Sequence, residues 1–298
     1  MNNTILIIDD EQLQAQQLAN ALHREIPDCN IVFAFEEEDI KNKIEDVFFS
    51  VAIVDLRMDR YATDGFDIID KIMVINPYAK IIAVSAYTGE YITKLNEYIA
   101  QNKILAISEK EDFAQWVPKL KNIILKYFNQ PGNPITIQVM EDLFAEAKNE
   151  TDKYLKGKRF ENFVVVLFRQ MGFKHIETRI RDSASNEIDL VVRNDVEDKF
   201  FSKFKRYIFV ECKNKPDTGF VKNDFIVFKD KVASSAGDSD LGVVFTTGSI
   251  TKTVYLQALK ESKQNVKILY LSSPEIMRLI YASDMLEEFK IIIDEQVQ

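Results

Sequence analysis

Asn186-Glu187-Ile188-Asp189-Leu190-Val191-Val192 and, beyond a charged insert, Tyr207-Ile208-Phe209-Val210-Glu211-Cys212-Lys213 are the two runs that decide how the second half of the chain folds. Both are dense in β-branched and aromatic residues, and roughly a dozen mostly charged residues join them, so they read as paired strands. Side chains alternate along a strand, which places Glu211 and Lys213 on one face, while Asp189 interrupts the apolar run of the partner. A charge inside a strand is costly unless it is paired or bound to metal, so Asp189, Glu211 and Lys213 mark a candidate site. A salt-bridged edge strand is the plainer reading of the same three residues.

Working outward, 298 residues suffice for two ordinary domains, each with its own core. Hydrophobic content of 46% and charged content of 29% fit a soluble globular protein. No apolar run approaches the roughly 20 residues that span a bilayer, and Met-Asn-Asn-Thr leading straight into a strand is unlike a signal peptide. The expectation is a cytoplasmic protein with no membrane partner. Two distant cysteines, Cys29 and Cys212, and two histidines, His23 and His175, argue against a structural zinc site or a disulfide framework. Any metal is then held by oxygen, which favours Mg²⁺ or Mn²⁺.

The net charge of −9 is unevenly spread. Residues 1–130 carry 13 basic against 21 acidic residues, whereas residues 153–231 carry 18 basic against 12 acidic. The acidity therefore lies in the first half, and the segment around Asp189, Glu211 and Lys213 is locally positive, as a phosphate backbone requires. A solvated basic face is the alternative.

In the first half, Thr4–Ile8, Asn30–Phe35, Val51–Asp55, Ile81–Ala86 and Ile104–Ser108 are short apolar strand patterns. Helical patterns alternate with them, including one after Glu11 with Leu13, Leu18 and Leu22 on its stripe and one opened by Glu36-Glu37-Glu38-Asp39. This alternation predicts a doubly wound α/β domain with a five-stranded parallel sheet, whose ligands gather at the carboxyl ends of the strands. Asp9, Asp10, Asp55, Ser85 and Lys110 end those strands. Carboxylates of this kind can hold Mg²⁺ and accept a phosphoryl group, and a hydroxyl and an ammonium can bind its oxygens.

With these five positions the segment resembles the CheY-like receiver domain of two-component response regulators, over about residues 1–128. The resemblance implies phosphorylation of Asp55, with Asp9, Asp10 and Asp55 around Mg²⁺, and Ser85 and Lys110 as switch residues; it also implies a sensor histidine kinase as partner. Four positions depart from the family pattern. Asp55-Leu56-Arg57-Met58-Asp59 lacks the usual Met-Pro pair, Gly65 comes ten residues after Asp55 rather than eight, and Lys110 is followed by Glu111 instead of proline. Ile107 also stands where the family carries an aromatic switch residue.

Asn129-Gln130-Pro131-Gly132-Asn133-Pro134 breaks the last helix of this domain and reads as a linker, residues 129–134. A connecting helix over 135–156 follows, which either caps the second domain or packs on a partner subunit. The second domain is then 157–298.

There, Gly157-Lys158-Arg159-Phe160-Glu161 opens an apolar helix ending at Gly172, followed by Asn-Glu-Ile-Asp-Leu, the strand ending Glu211-Cys212-Lys213, and later strands at Leu241–Gly248 and Val266–Leu271 with a helix from Ser249 to Ser262 between them. This series resembles the PD-(D/E)xK nucleases, especially the Mrr-like restriction endonucleases, over about residues 153–281. The resemblance implies a restriction-endonuclease-like α/β fold with a mixed central sheet. It also implies Mg²⁺, or Mn²⁺, on Asp189 and Glu211 with the Cys212 carbonyl as a further oxygen, and Lys213 beside that metal, either orienting the attacking water or stabilising the phosphorane-like charge. Glu161 either reaches the metal or serves the dipole of its helix start. Lys174, Arg179, Arg181 and Lys215 are candidate phosphate contacts. Phe200, Phe201 and Phe204, interleaved with Lys199, Lys203, Lys205 and Arg206, either stack on bases or pack on their own domain.

Together these readings predict a response regulator whose output is Mg²⁺-dependent hydrolysis of nucleic acid, DNA in the first instance, regulated at Asp55. A homodimer is expected, because one such site cuts one strand and a two-fold pair cuts both. The family analogy points to defence. The alternatives are a regulator whose second domain only binds nucleic acid or protein, and a nuclease that is always on.

Overall fold

A computed structural model describes residues 3–128, 137–181, 187–234, 238–254 and 266–297, apart from the side chains of Arg181 and Val297. The chain divides into two compact units, Met1–Asn133 and Pro134–Gln298.

The first unit is a five-stranded parallel sheet in the order β2-β1-β3-β4-β5, formed by β1 (Thr4–Ile8), β2 (Asn30–Ala34), β3 (Val51–Asp55), β4 (Lys80–Ser85) and β5 (Ile104–Glu109). Five helices connect and follow the strands: α1 (Gln12–Glu25), α2 (Glu37–Asp46), α3 (Gly65–Ile75), α4 (Ile92–Ala100) and α5 (Phe113–Phe128). The central strands are buried along their whole length, which explains their unbroken apolar runs. On α1 the buried stripe is Ala15, Leu18, Ala19 and Leu22. Leu13, expected on that stripe, is 65% exposed. Five residues separate it from Leu18, which at about 100° per residue turns it away from the sheet.

The second unit is a mixed sheet in the order β10-β9-β8-β7-β6. Strands β6 (Ile176–Arg181), β7 (Glu187–Arg193) and β8 (Tyr207–Lys213) are antiparallel neighbours, and β9 (Ser239–Thr246) and β10 (Lys267–Leu271) continue from β8 in parallel. Helices α6 (Ile137–Asn149), α7 (Lys153–Gln170), α8 (Lys222–Ala233), α9 (Ser273–Tyr281) and α10 (Met285–Val297) complete the described elements. Most of the helix expected over Ser249–Ser262 lies outside the described residues.

The expected boundary at residue 157 falls inside α7, which begins at Lys153 with Asp152 capping the Leu155 N–H at 2.8 Å. Gly157 suggested a helix start, but it sits in the helix with open space where a side chain would go. The helix expected over 135–156 is correspondingly shorter, and it packs on α7 through Phe144, whose ring lies 5.3 Å from that of Phe163.

An aromatic core supports this sheet from one side. Phe168 is fully buried in edge-to-face contact with Phe173, Phe245 and Phe289. Phe201, from the insert between β7 and β8, joins it against Phe173 and Phe289. The insert's phenylalanines thus pack on their own domain: Phe201 and Phe204 are buried, and Phe200 carries the Lys203 ammonium 3.5 Å from its ring centre. No helix among the described residues is long and apolar enough to cross a membrane.

Candidate active sites on the two units

In the first unit, β1 and β3 are neighbours, and the chain leaves them into helices on its way to opposite sides of the sheet. Asp9 and Asp10 follow β1, and Asp55 is the last residue of β3, so three carboxylates meet at the carboxyl edge. All three are buried, and one oxygen from each lies within 4.8 Å of the others. Lys110, just past β5, reaches across to Asp55 Oδ2 at 2.6 Å and Asp9 Oδ2 at 2.7 Å. Burial raises the Asp55 carboxyl above its usual range, against the pull of Lys110. Burial opposes the charge on Lys110, but Asp55 and Asp9 overcome it and hold the ammonium above its ordinary value. Three buried carboxylates facing one ammonium leave two negative charges uncompensated, which fits an oxygen-liganded divalent cation.

Backbone donors fix each carboxylate. Asp9 accepts from the Glu11 N–H at 2.9 Å, Asp55 from the Arg57 N–H at 3.1 Å, and Asp10 from the Arg60 N–H at 2.9 Å. The last contact comes from the enlarged loop after β3, which folds back over the pocket; the Tyr61 hydroxyl ties it to the Phe35 carbonyl. The loop closes at Gly65, whose N–H donates to the Leu56 carbonyl at 3.2 Å. A Cβ there would stand 2.1 Å from the Asp55 carbonyl oxygen, so no residue but glycine fits. Ser85 is buried at the end of β4, its Oγ accepting from the Tyr87 N–H at 3.2 Å, and the Lys110 N–H donates to its carbonyl at 3.0 Å.

In the second unit, Leu190–Val210 is the last pair of the β7–β8 ladder, and Asp189 and Glu211 lie next along their strands beyond it. Asp189 Oδ2 accepts from the Cys212 N–H at 2.7 Å. Burial, with Glu211 and Glu161 nearby, pushes the Asp189 carboxyl up to about 7. Burial also raises the Cys212 thiol, and Asp189 adds to the effect. Glu211 is buried, and Lys213 Nζ lies 2.5 Å from its Oε1, as the alternation along β8 requires. Burial opposes the charge on Lys213, but Glu211, with Asp189 and Asp224 adding to it, holds the ammonium above its ordinary value.

Several contributors were not legible in the sequence. Lys231 on α8 donates to the Glu187 carbonyl at 2.6 Å and comes within 3.4 Å of Glu211 Oε2. Lys158 is fully buried one turn before Glu161, with Nζ 3.7 Å from Glu161 Oε2. Asn214 donates to the carbonyls of Ala147 at 2.7 Å and Lys156 at 2.8 Å, and accepts from the Thr247 hydroxyl at 2.8 Å, which fastens the end of β8 to α6 and α7. Only contacts across the fold reveal such roles, since a lysine or asparagine on a helix or loop carries no periodic signal.

Glu161 lies in the interior of α7, eight residues after Lys153, so service to the helix start is ruled out by position. The candidate phosphate contacts separate. Arg179 turns inward, its Nε 3.2 Å from Glu161 Oε2, and Lys215 lies 3.8 Å from Asp224. Lys174 is exposed, and the Arg181 side chain lies outside the described residues.

The response regulator receiver domain family matches residues 5–117, and the Mrr-type restriction endonuclease family matches residues 153–280. No curated relative matches the chain. Among solved structures, a CheY-like receiver domain protein from Methanospirillum hungatei JF-1 is 21% identical, covering 44% of this chain and 100% of its own, with a TM-score of 0.36. The response regulator domain of Thermotoga maritima CheB is 23% identical over 44% and 100%, TM-score 0.36, and Thermotoga maritima TrrA is 24% identical over 41% and 98%, TM-score 0.34. The chain thus joins a response regulator receiver domain to a restriction endonuclease domain of the Mrr type.

Proposed function

We propose that this protein is a response regulator whose output is divalent-metal-dependent hydrolysis of phosphodiesters in DNA, controlled by phosphorylation of Asp55. The observation that carries the reading is the Glu211–Lys213 pair at 2.5 Å on β8 with Asp189 of β7 beside it, holding the N–H of the intervening Cys212 at 2.7 Å. A binding module has no need of two carboxylates and a lysine at one point of a sheet.

Hydrolysis of a phosphodiester requires positive charge at the phosphate and a deprotonated water. A divalent cation on Asp189 and Glu211 supplies Lewis acidity and lowers the pKa of bound water. Lys213, held on the same strand face and oriented by Glu211, presents its ammonium to the phosphate oxygen that gains charge. Asp189 is braced by the Cys212 N–H, so its second oxygen keeps a fixed direction. In the receiver, Asp55 is the phosphoryl acceptor from a histidine kinase or a small donor, with Asp9 and Asp10 holding Mg²⁺. Lys110 leaves one carboxylate to pair with the incoming phosphoryl oxygens, and the Ser85 hydroxyl donates a hydrogen bond to one of them. The protein acts as a homodimer on duplex DNA.

The test is incubation of the protein with supercoiled plasmid, linear duplex and RNA in Mg²⁺, Mn²⁺ or EDTA. Metal-dependent cleavage that Lys213→Ala abolishes while binding persists supports the reading; unchanged cleavage in Lys213→Ala, or none in any metal, refutes it.

A further inference from the structure

The three carboxylates of the second unit differ in the company they keep. Among the described residues no cation pairs with Asp189, whose Oδ2 takes the Cys212 N–H. Glu211 meets Lys213 at Oε1, but that side chain is 25% exposed, so its ammonium stays in reach of solvent when the carboxylate turns to an ion. At its Oε2 stands only Lys231 at 3.4 Å, and Lys231 keeps its shorter contact, 2.6 Å, on the Glu187 carbonyl. Glu161 is different. Two cations converge on the same oxygen, Oε2: Lys158 at 3.7 Å and Arg179 at 3.2 Å.

Neither cation is a casual neighbour. The Lys158 side chain is 2% exposed, and were Glu161 to turn to a metal, a buried ammonium would lose this carboxylate partner. Arg179 is held by its backbone. It sits in β6 at the position facing Asp189, between the pairs Thr178–Leu190 and Ile180–Ile188, with a φ of 51°. A non-glycine residue in the left-handed region within a strand is strained, and such strain persists only where the surroundings impose it. The irregularity aims the guanidinium at Glu161 and, at 3.8 Å, at Glu187. Among the described residues the three-carboxylate cluster tight enough to share an ion is Asp9, Asp10 and Asp55; Asp189, Glu211 and Glu161 do not close up in that way.

We infer that Glu161 is not a metal ligand: Lys158 and Arg179 lock it, their two positive charges beside its carboxylate repel a second divalent cation there, and the site takes one cation, on Asp189 and Glu211. This deepens the nuclease reading and rests on it. Glu161 is then a positioning residue that acts by holding Arg179.

The test counts metal without reference to cleavage. Mn²⁺ is titrated into the full chain and the free ion followed by electron paramagnetic resonance. The expected count is two per chain, falling by one in Asp10→Asn for the receiver, by one in Asp189→Asn for the nuclease site, and staying at two in Glu161→Gln. A count of three, with the third lost in Glu161→Gln, overturns the inference while leaving the nuclease reading intact. A count of one, unaffected by Asp189→Asn, overturns both. A count of two that falls to one in Glu161→Gln also overturns the inference, and if that variant does not fold, Glu161→Asp replaces it: an unchanged count and Mn²⁺ affinity support the inference, and a weakened or lost nuclease-site ion overturns it.

Discussion

The Asp189 carboxyl offers a quantitative check on the metal-free second site. Its unfolded value is near 3.9, and in the fold it stands at about 7 because burial disfavours the anion and Glu211 and Glu161 add repulsion. With the folded value raised, the folded state binds the extra proton between those two values. Stability therefore falls as pH rises through that window and is flat above it. Between pH 5.5 and pH 8 the two titrations differ by roughly 1.5 pH units' worth of linkage, so this group alone removes ~2 kcal/mol of stability. Asp189→Asn keeps an acceptor for the Cys212 N–H and removes the titration. The metal-free variant is thus expected to outlast wild type in urea by ~2 kcal/mol more at pH 8 than at pH 5.5. Far-UV circular dichroism follows both units, and Trp116, the sole tryptophan, buried in the first unit, identifies that unit's transition, which does not move, so that the remaining transition belongs to the second. Saturating Mn²⁺ reverses the order, since the ion rewards the carboxylate. Equal pH dependence in the two proteins, or a variant less stable at pH 8 in EDTA, refutes the electrostatic account of the site.

Three further perturbations follow from the geometry. Gly65→Ala drives a methyl into the Asp55 carbonyl, so it is expected to lower the melting temperature of the first unit and to slow phosphorylation by a small phosphoryl donor, both read on one sample; a wild-type profile contradicts the loop assignment. Phe201→Ala removes a fully buried ring, with an expected cost of about 3–5 kcal/mol by denaturant titration, and a loss of affinity for DNA without loss of stability instead assigns the insert to base stacking. Asn214→Ala releases β8 from α6 and α7; at about 1 kcal/mol for each of its three hydrogen bonds, the midpoint in urea falls clearly, and an unmoved midpoint shows that the tether is dispensable.

Much of this architecture is legible in the sequence because its signals are local. Each strand of the first unit is a short apolar run, four of the five end in or just before a polar residue, and the parallel topology turns those ends into one pocket. Glu211 and Lys213 are readable from alternation alone, and Asp189 from its intrusion into an apolar run. What escaped was tertiary. Lys158 reads as helix surface but is buried against Glu161, and Lys231 looks like one of many lysines until α8 brings it to Glu211 and Glu187. The left-handed Arg179 has no sequence signal, since glycine or asparagine is the usual mark of such a backbone. The extra loop residues after Asp55 were visible as a departure from a pattern, whereas their product, the Arg60 N–H on Asp10, required the fold.

The central claim is that a phosphoryl switch at Asp55 governs metal-dependent cleavage by Asp189, Glu211 and Lys213. The most direct measurement is the initial rate of plasmid cleavage in Mg²⁺, before and after treatment with a small phosphoryl donor, for wild type, Asp55→Asn and Lys213→Ala. The account predicts a rate that changes on treatment in wild type, a rate insensitive to treatment in Asp55→Asn, and a fall on the order of 10²–10³-fold in Lys213→Ala. Cleavage that responds to the donor equally in wild type and Asp55→Asn, or that survives Lys213→Ala, contradicts it.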